Sequence, residues 1–130
     1  MSLILLDTHA LHWWSTEPEK LSPAATEAIR RAERLAVAAM SWYELAWLAR
    51  HGRITLATPI RTWLERLAGR VRTIDATPAI ADSAAALPDS FPADPADRLI
   101  FATAVEHGAM LITKDRAIRE HAHPRPIAIW

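Results

Sequence analysis

The chain has 130 residues, 15 basic and 15 acidic side chains, and no cysteine. That is enough for one domain with a real core spanning 1–130, and it excludes disulfides and thiolate zinc sites, as fits a cytoplasmic protein. No apolar run approaches the roughly 18 residues of a membrane span, and the start meets Asp7 too early, with no basic segment before it, for a signal peptide.

Residues 3–6 (Leu-Ile-Leu-Leu) form a continuous apolar run, which predicts a strand buried on both faces. Asp7-Thr8 follows, then a short helix-like stretch through Trp14. Ser22-Pro23 reads as N-cap and first residue of a helix reaching about Arg34, with Arg30, Arg31 and Arg34 on a solvated face. A second apolar run covers residues 35–40, and Ser41 opens a helix to about His51, closed by Gly52. Thr58-Pro59 opens another, closed near Gly69. Residues 71–74 are a short strand candidate, Thr77-Pro78 starts a helix through Ala86, and residues 87–93 form a proline-containing loop.

The best-punctuated helix is the next one. Asp94 suits the N-cap, Pro95 the first helical position, and Gly108 the position past the end. From Asp97 the i+3, i+4, i+7 and i+8 residues are Ile100, Phe101, Ala104 and Val105, one apolar face. Asp97 thus begins an inward stripe, where a lone carboxylate is costly and calls for a cation. Residues 110–113 predict a third strong strand, 114–121 a short helix, and 126–129 an edge strand that starts on a proline. Apolar strands alternating with helices indicate an α/β domain with a mainly parallel sheet. The three glycines all fall at helix ends, so neither a P-loop nor a dinucleotide fingerprint is present.

Four acids stand beside these elements: Asp7, Glu44, Asp97 and Asp115. Each has a plain structural reading. Ser41-Trp42-Tyr43-Glu44 matches a capping box, and Asp7, Asp94 or Asp97, and Asp115 sit where helix N-termini favour acids. Together they suggest more. In an open parallel sheet, ligands sit beyond the carboxyl ends of the strands. Asp7 follows the first strand, Glu44 follows the second by one helical turn, Asp115 follows the strand at 110–113, and Asp97 lies on the helix leading into it. Four carboxylates aimed at one edge repel unless a cation sits between them. Oxygen ligands alone favour magnesium or manganese, and such an ion can turn water into a nucleophile and stabilise both oxygens of an in-line phosphoryl displacement.

Residues 5–14 (Leu-Leu-Asp-Thr-His-Ala-Leu-His-Trp-Trp), 41–45 (Ser-Trp-Tyr-Glu-Leu), 94–100 (Asp-Pro-Ala-Asp-Arg-Leu-Ile) and 111–115 (Leu-Ile-Thr-Lys-Asp) resemble, in order and spacing, the motifs of PIN-domain ribonucleases, most of all VapC-type toxins of toxin–antitoxin pairs. The resemblance runs from about residue 3 to 129. It implies a three-layer sandwich around a sheet of four to five strands and a magnesium- or manganese-dependent endoribonuclease. It also implies a homodimer and a small cognate antitoxin. Carried onto this chain, the acidic site is Asp7, Glu44, Asp97 and Asp115, with Thr8 and Thr113 as polar supports. One departure is visible: relatives with this motif often carry a histidine two residues before its first Asp, where this chain has Pro92.

Arg98 and Arg116 flank site acids and suit either phosphate binding or a structural ion pair. Asp94 is read as the N-cap beside the site. His9 is near Asp7 and within reach of substrate, and no histidine pair has zincin spacing. All basic residues but Lys20 and Lys114 are arginine, which presents a fork suited to phosphate oxygens. The tryptophans are expected to serve the core or an interface, and the wide apolar surface of the helix at 41–51 points to a second copy of the chain. Two other classes compete. A metal-dependent phosphatase would want Asp-x-Asp after the first strand, where Asp7-Thr8-His9 stands, and a phosphoacceptor domain would want an early acid pair to accompany Asp75. A non-catalytic RNA-binding or scaffold domain would fit better had one of the four acids been lost.

Overall fold

The computed structural model describes residues 2–130. Its elements in chain order are β1 (Leu3–Leu6), α1 (Thr8–Thr16), a 3-10 turn (Pro18–Lys20), α2 (Pro23–Arg31), β2 (Arg34–Ala38), α3 (Met40–Arg50) and α4 (Ile60–Ala68). They continue as β3 (Arg72–Ile74), α5 (Pro78–Ala85), α6 (Pro95–Glu106), β4 (Met110–Ile112), α7 (Arg116–Glu120) and β5 (Ala128–Ile129). The five strands form one sheet in the order β3-β2-β1-β4-β5, every pair parallel. The α/β domain with a parallel sheet expected from the alternation is present, and so is the sandwich that the resemblance implied.

The winding direction matters for the site. The chain lays strands outward from β1 to β2 to β3, then returns to the other side of β1 for β4 and β5. The reversal falls between β1 and β4. There the connecting helices depart to opposite faces and leave a crevice at the carboxyl ends of the strands.

Strand side chains alternate between two cores. Leu5, Ala36, Ala38 and Leu111 pack with Ile80, Phe91, Ile100 and Phe101 under α5 and α6. Ile4, Leu6, Val37 and Ile112 pack with Leu11, Ala25, Leu45 and Leu67 under α1 to α4. Both faces are covered, which is why the strands read as unbroken apolar runs. Helix α6 is buried more widely than its stripe implied: Ala96, Ala102 and Thr103 are buried beside Ile100, Phe101 and Ala104.

Local punctuation works as written. Ser22, Thr77 and Asp94 each precede a proline and accept the backbone N–H three residues on, at 3.0, 3.2 and 3.0 Å. Gly108 takes φ +63° just past α6, a left-handed turn that other residues reach only with strain. Several ends differ from expectation by a few residues: α2 stops at Arg31, β2 covers 34–38, α4 starts at Ile60 and β5 is only Ala128–Ile129.

One difference is of substance. The capping box at Ser41 and Glu44 does not form. Helix α3 begins a residue earlier, at Met40, with Ala39 already in helical conformation and its N–H bonded to the Ile74 carbonyl at 2.9 Å. Ser41 and Glu44 lie inside the helix and are free to bond elsewhere.

Arg98 also corrects its reading. It faces neither a phosphate site nor a carboxylate. Its Nε donates to the Pro92 carbonyl at 2.9 Å, Nη1 to Leu87 at 2.9 Å and Ala84 at 3.3 Å, and Nη2 to Pro88 at 3.0 Å and Phe91 at 3.4 Å. The five N–H donors of a guanidinium thus hold five carbonyls at the end of α5 and along the loop 87–93. Two of them also accept backbone N–H groups, Ala84 from Leu87 at 3.3 Å and Pro88 from Phe91 at 2.9 Å, and Arg98 is the side chain that gathers all five. Arg98→Ala is expected to destabilise the fold by roughly 1.5–3 kcal/mol, the range for hydrogen bonds to a charged group. Arg98→Lys should recover little of it, since an ammonium cannot reach carbonyls in a planar fork. Urea denaturation of the three proteins checks this.

Candidate active site

The four acids meet at the crevice between β1 and β4. Asp7 ends β1, Asp115 follows β4, Glu44 projects from the first turns of α3 after β2, and Asp97 from the first turn of α6. Two adjoining clefts open there. One, of about 400 Å³, is lined by Asp7, Glu44 and Asp97 with Thr8, Tyr43 and Trp47 among its walls. The other, of about 460 Å³, is lined by Asp7, His9, Trp13, Asp97, Lys114 and Asp115. Asp7, His9 and Asp97 border both.

Each acid is held differently. Asp7 is the N-cap of α1: its Oδ1 accepts the Ala10 N–H at 2.8 Å. The Thr113 hydroxyl donates to the same carboxylate. Thr113 is fully buried, and its oxygen accepts the Asp115 N–H at 3.1 Å. One hydroxyl therefore ties the end of β1 to the end of β4. Asp115 is the N-cap of α7 and accepts the Ile118 N–H at 3.1 Å. The capping reading thus holds for Asp7 and Asp115, and it does not compete with a site: each cap engages one carboxylate oxygen with a backbone N–H.

Glu44 is fixed by a contact that spans 36 residues of sequence. The Thr8 hydroxyl donates to its Oε1 in a short hydrogen bond. Thr8 Oγ1 also lies 3.1 Å from the buried Ser41 Oγ. A hydroxyl has one proton, and Thr8 spends it on the carboxylate, so the Ser41 hydroxyl donates to Thr8. Ser41, which looked like a cap, is the base of this relay.

Asp97 has no such partner among the described residues. Its backbone N–H is bonded to Asp94 at 3.0 Å, and the side chain stands half-buried among carboxylates. Burial pushes its pKa up, and Asp94, Asp115, Glu44 and Asp7 push it further, to about 6. Burial likewise raises Asp7, opposed by its bonds from Thr113 and Ala10. Among the described residues no lysine or arginine forms an ion pair with any of the four. Lys114 borders the second cleft, but its ammonium lies 5.7 Å over the Trp13 ring. Arg116 takes the structural reading: its Nε pairs with Glu120 at 2.8 Å on the exposed face of α7.

Among the described residues no three of the acids converge tightly as a ligand cage. The donor set nevertheless fits a hard divalent ion: carboxylate oxygens only, in excess of any cation, with three of the four oriented by other groups. Sequence reasoning placed His9 near Asp7 but missed the aromatic walls, Tyr43 and Trp47 on one side and Trp13, on which His9 stacks at 5.7 Å, on the other. The i, i+4 spacing of Tyr43 and Trp47 around Glu44 was the available signal.

The charge crowding has a measurable sign. A carboxyl whose pKa is raised on folding favours the fold below its unfolded value, and that support is lost as pH rises through the folded value. For Asp97 the window is from 3.8 to about 6. In chelator at pH 7.5, Asp97→Asn should melt above the parent, and the gap should close near pH 4. Asp94→Ala loses a cap worth roughly 0.5–2 kcal/mol, partly offset because one charge that crowds Asp97 is gone. Melting curves of the three proteins at the two pH values test both; an Asp97→Asn variant that melts lower than the parent at pH 7.5 contradicts the crowding.

Residues 4–124 match the family model described as PIN domain. The chain is 59% identical over 130 residues, the full length of both proteins, to Ribonuclease VapC22 of Mycobacterium tuberculosis. Among solved structures it is similar to a toxin–antitoxin complex from Klebsiella pneumoniae, with TM-score 0.70 and 20% identity over 98% of this chain and 96% of the other. A DNA-bound VapBC from Salmonella typhimurium gives TM-score 0.65 and 18% identity over 90% of each chain. With a family model matched over residues 4–124 and a relative 59% identical over the full length of both chains, the chain belongs to the PIN-domain family.

Proposed function

We propose that the chain is a divalent-metal-dependent endoribonuclease, the toxin of a toxin–antitoxin pair, with Asp7, Glu44, Asp97 and Asp115 holding magnesium or manganese. The observation that carries this reading is the gathering of four carboxylates without a counter-cation, one of them raised to about 6. A chain that only needed a cap at each helix would not crowd them. The full-length likeness to a ribonuclease supports RNA as the substrate, and the likeness to toxin–antitoxin structures supports a small antitoxin as partner. An RNA substrate and the absence of cysteine both accord with work in the cytoplasm.

A divalent ion held there would supply a nucleophile from water and charge stabilisation for in-line displacement at phosphorus. The chain's part is orientation. Thr113 and the Ala10 N–H keep Asp7 aimed into the crevice, and Thr8, backed by Ser41, does the same for Glu44. Asp97, unrestrained and half-protonated near pH 6, is the carboxylate whose charge a cation most relieves. No cysteine is available as a protein nucleophile.

Purified protein incubated with a mixed RNA pool should cleave it in magnesium or manganese and not in chelator, and Asp97→Asn should abolish cleavage. Undiminished cleavage in chelator overturns the metal mechanism. Failure to cleave with any ion, while the protein still binds RNA, moves the chain to the binding-domain class. The reading also includes a homodimer, for which light scattering at micromolar concentration should return twice the chain mass.

A further inference from the structure

Tyr43 and Trp47 are the exposed large hydrophobics among the described residues, 72% and 42% accessible. They stand one turn apart on α3 and both line the cleft that holds Asp7, Glu44 and Asp97. A scattered exposed aromatic means little, but Trp47 is braced. The His51 ring lies on it, centroids 3.9 Å apart and planes 20° from parallel, and His51 Nδ1 is hydrogen-bonded to the Trp47 carbonyl at 2.7 Å. The Arg53 guanidinium sits 6.0 Å from the Trp47 centroid and pairs with no carboxylate among the described residues. A flat ring is thus held in place with a cation nearby, its exposed part bordering the acids.

We propose that Tyr43 and Trp47 are specificity-determining residues of this site, forming a stacking platform for an unpaired nucleobase beside the scissile phosphodiester. This rests on the ribonuclease reading and deepens it. The face of a base is open to an aromatic ring only when the base has left its helix, and every base has such a face, so the platform selects strandedness rather than sequence. A ring already fixed by His51 loses little freedom on binding. Continuity with the acids favours a nucleotide over a protein partner: a substrate whose phosphate lies at the carboxylates brings its neighbouring base against this wall.

The test measures binding apart from cleavage. In an Asp97→Asn background with magnesium, anisotropy of a short labelled RNA of mixed sequence gives affinity for its unpaired form and for the same strand in a duplex. The unpaired form should bind tighter. Adding Trp47→Ala should weaken the unpaired form roughly 5- to 140-fold, the span of one lost stack. It should leave the duplex affinity and the melting temperature unchanged, and Trp47→Phe should recover much of the loss. With Asp97 intact, Trp47→Ala should raise KM and spare kcat. If the parent protein cuts RNA but Trp47→Ala binds both forms as before, the platform is wrong and the nuclease stands. If the parent protein neither binds nor cuts RNA, the nuclease reading fails and the platform with it. If Trp47→Ala instead halves the particle mass in light scattering and RNA affinity holds, the ridge is an interface between copies and the proposal is overturned.

Discussion

Confined like charge is the constraint on which the rest of this structure turns. Four carboxylates share the crevice between β1 and β4, and no lysine or arginine among the described residues forms an ion pair with them, though the His9 ring acts on Asp7. Left to themselves, the side chains would swing apart into solvent. They are kept together by neutral donors: backbone N–H groups at the starts of α1 and α7, and the hydroxyls of Thr113 and Thr8. Neutral donors orient a carboxylate without cancelling its charge, whereas an arginine in the same place would orient and quench it. The excess of negative charge is therefore preserved, and burial first, with this charge adding to it, raises the pKa of Asp97.

The sheet makes that arrangement possible. A parallel strand delivers its next residue to the same edge as its neighbours, so residues just beyond β1, β2 and β4 arrive side by side. The reversal between β1 and β4 keeps helices from closing the gap at that edge. The covering helices do the opposite work away from the crevice, where they seal both faces with aliphatic and aromatic packing. A rigid scaffold with one open, charged edge is the outcome. Arg98 belongs to the scaffold. By collecting five carbonyls of the α5 end and the following loop, it anchors the segment that leads into α6 and so to Asp97.

The aromatic side chains divide along the same line. Trp42 turns outward only enough for its indole N–H to bond Thr73 Oγ1 at 3.0 Å, and otherwise packs against the core under α1 to α4 with Trp13, Trp14 and Trp63. Tyr43 and Trp47 remain open at the cleft. The wide apolar surface seen along this helix thus resolves into a packed part and a part beside the acids.

The sequence by itself determined the element order, the parallel α/β class and which four acids come to one edge of the sheet. Those features rest on contacts within a few residues: apolar runs, proline at the first helical position, and Ser22, Thr77 and Asp94 as caps that bond three residues ahead. Asp7, Glu44, Asp97 and Asp115 were legible because each stands at a fixed offset from a strand or helix start. Tertiary structure alone decided how they are held. Ser41 looked like half of a capping box because Glu44 lies three residues on, yet its hydroxyl meets Thr8, 33 residues away. Arg98 looked like a phosphate ligand beside Asp97, yet its fork serves carbonyls 6 to 14 residues earlier. Trp47 shares a face of its helix with Tyr43 by spacing, but that this face stays open at the cleft was decided by packing. A polar side chain with several possible partners takes the one the folded chain brings within about 3 Å, and which one that is depends on how the sheet and helices pack, not on its neighbours in sequence.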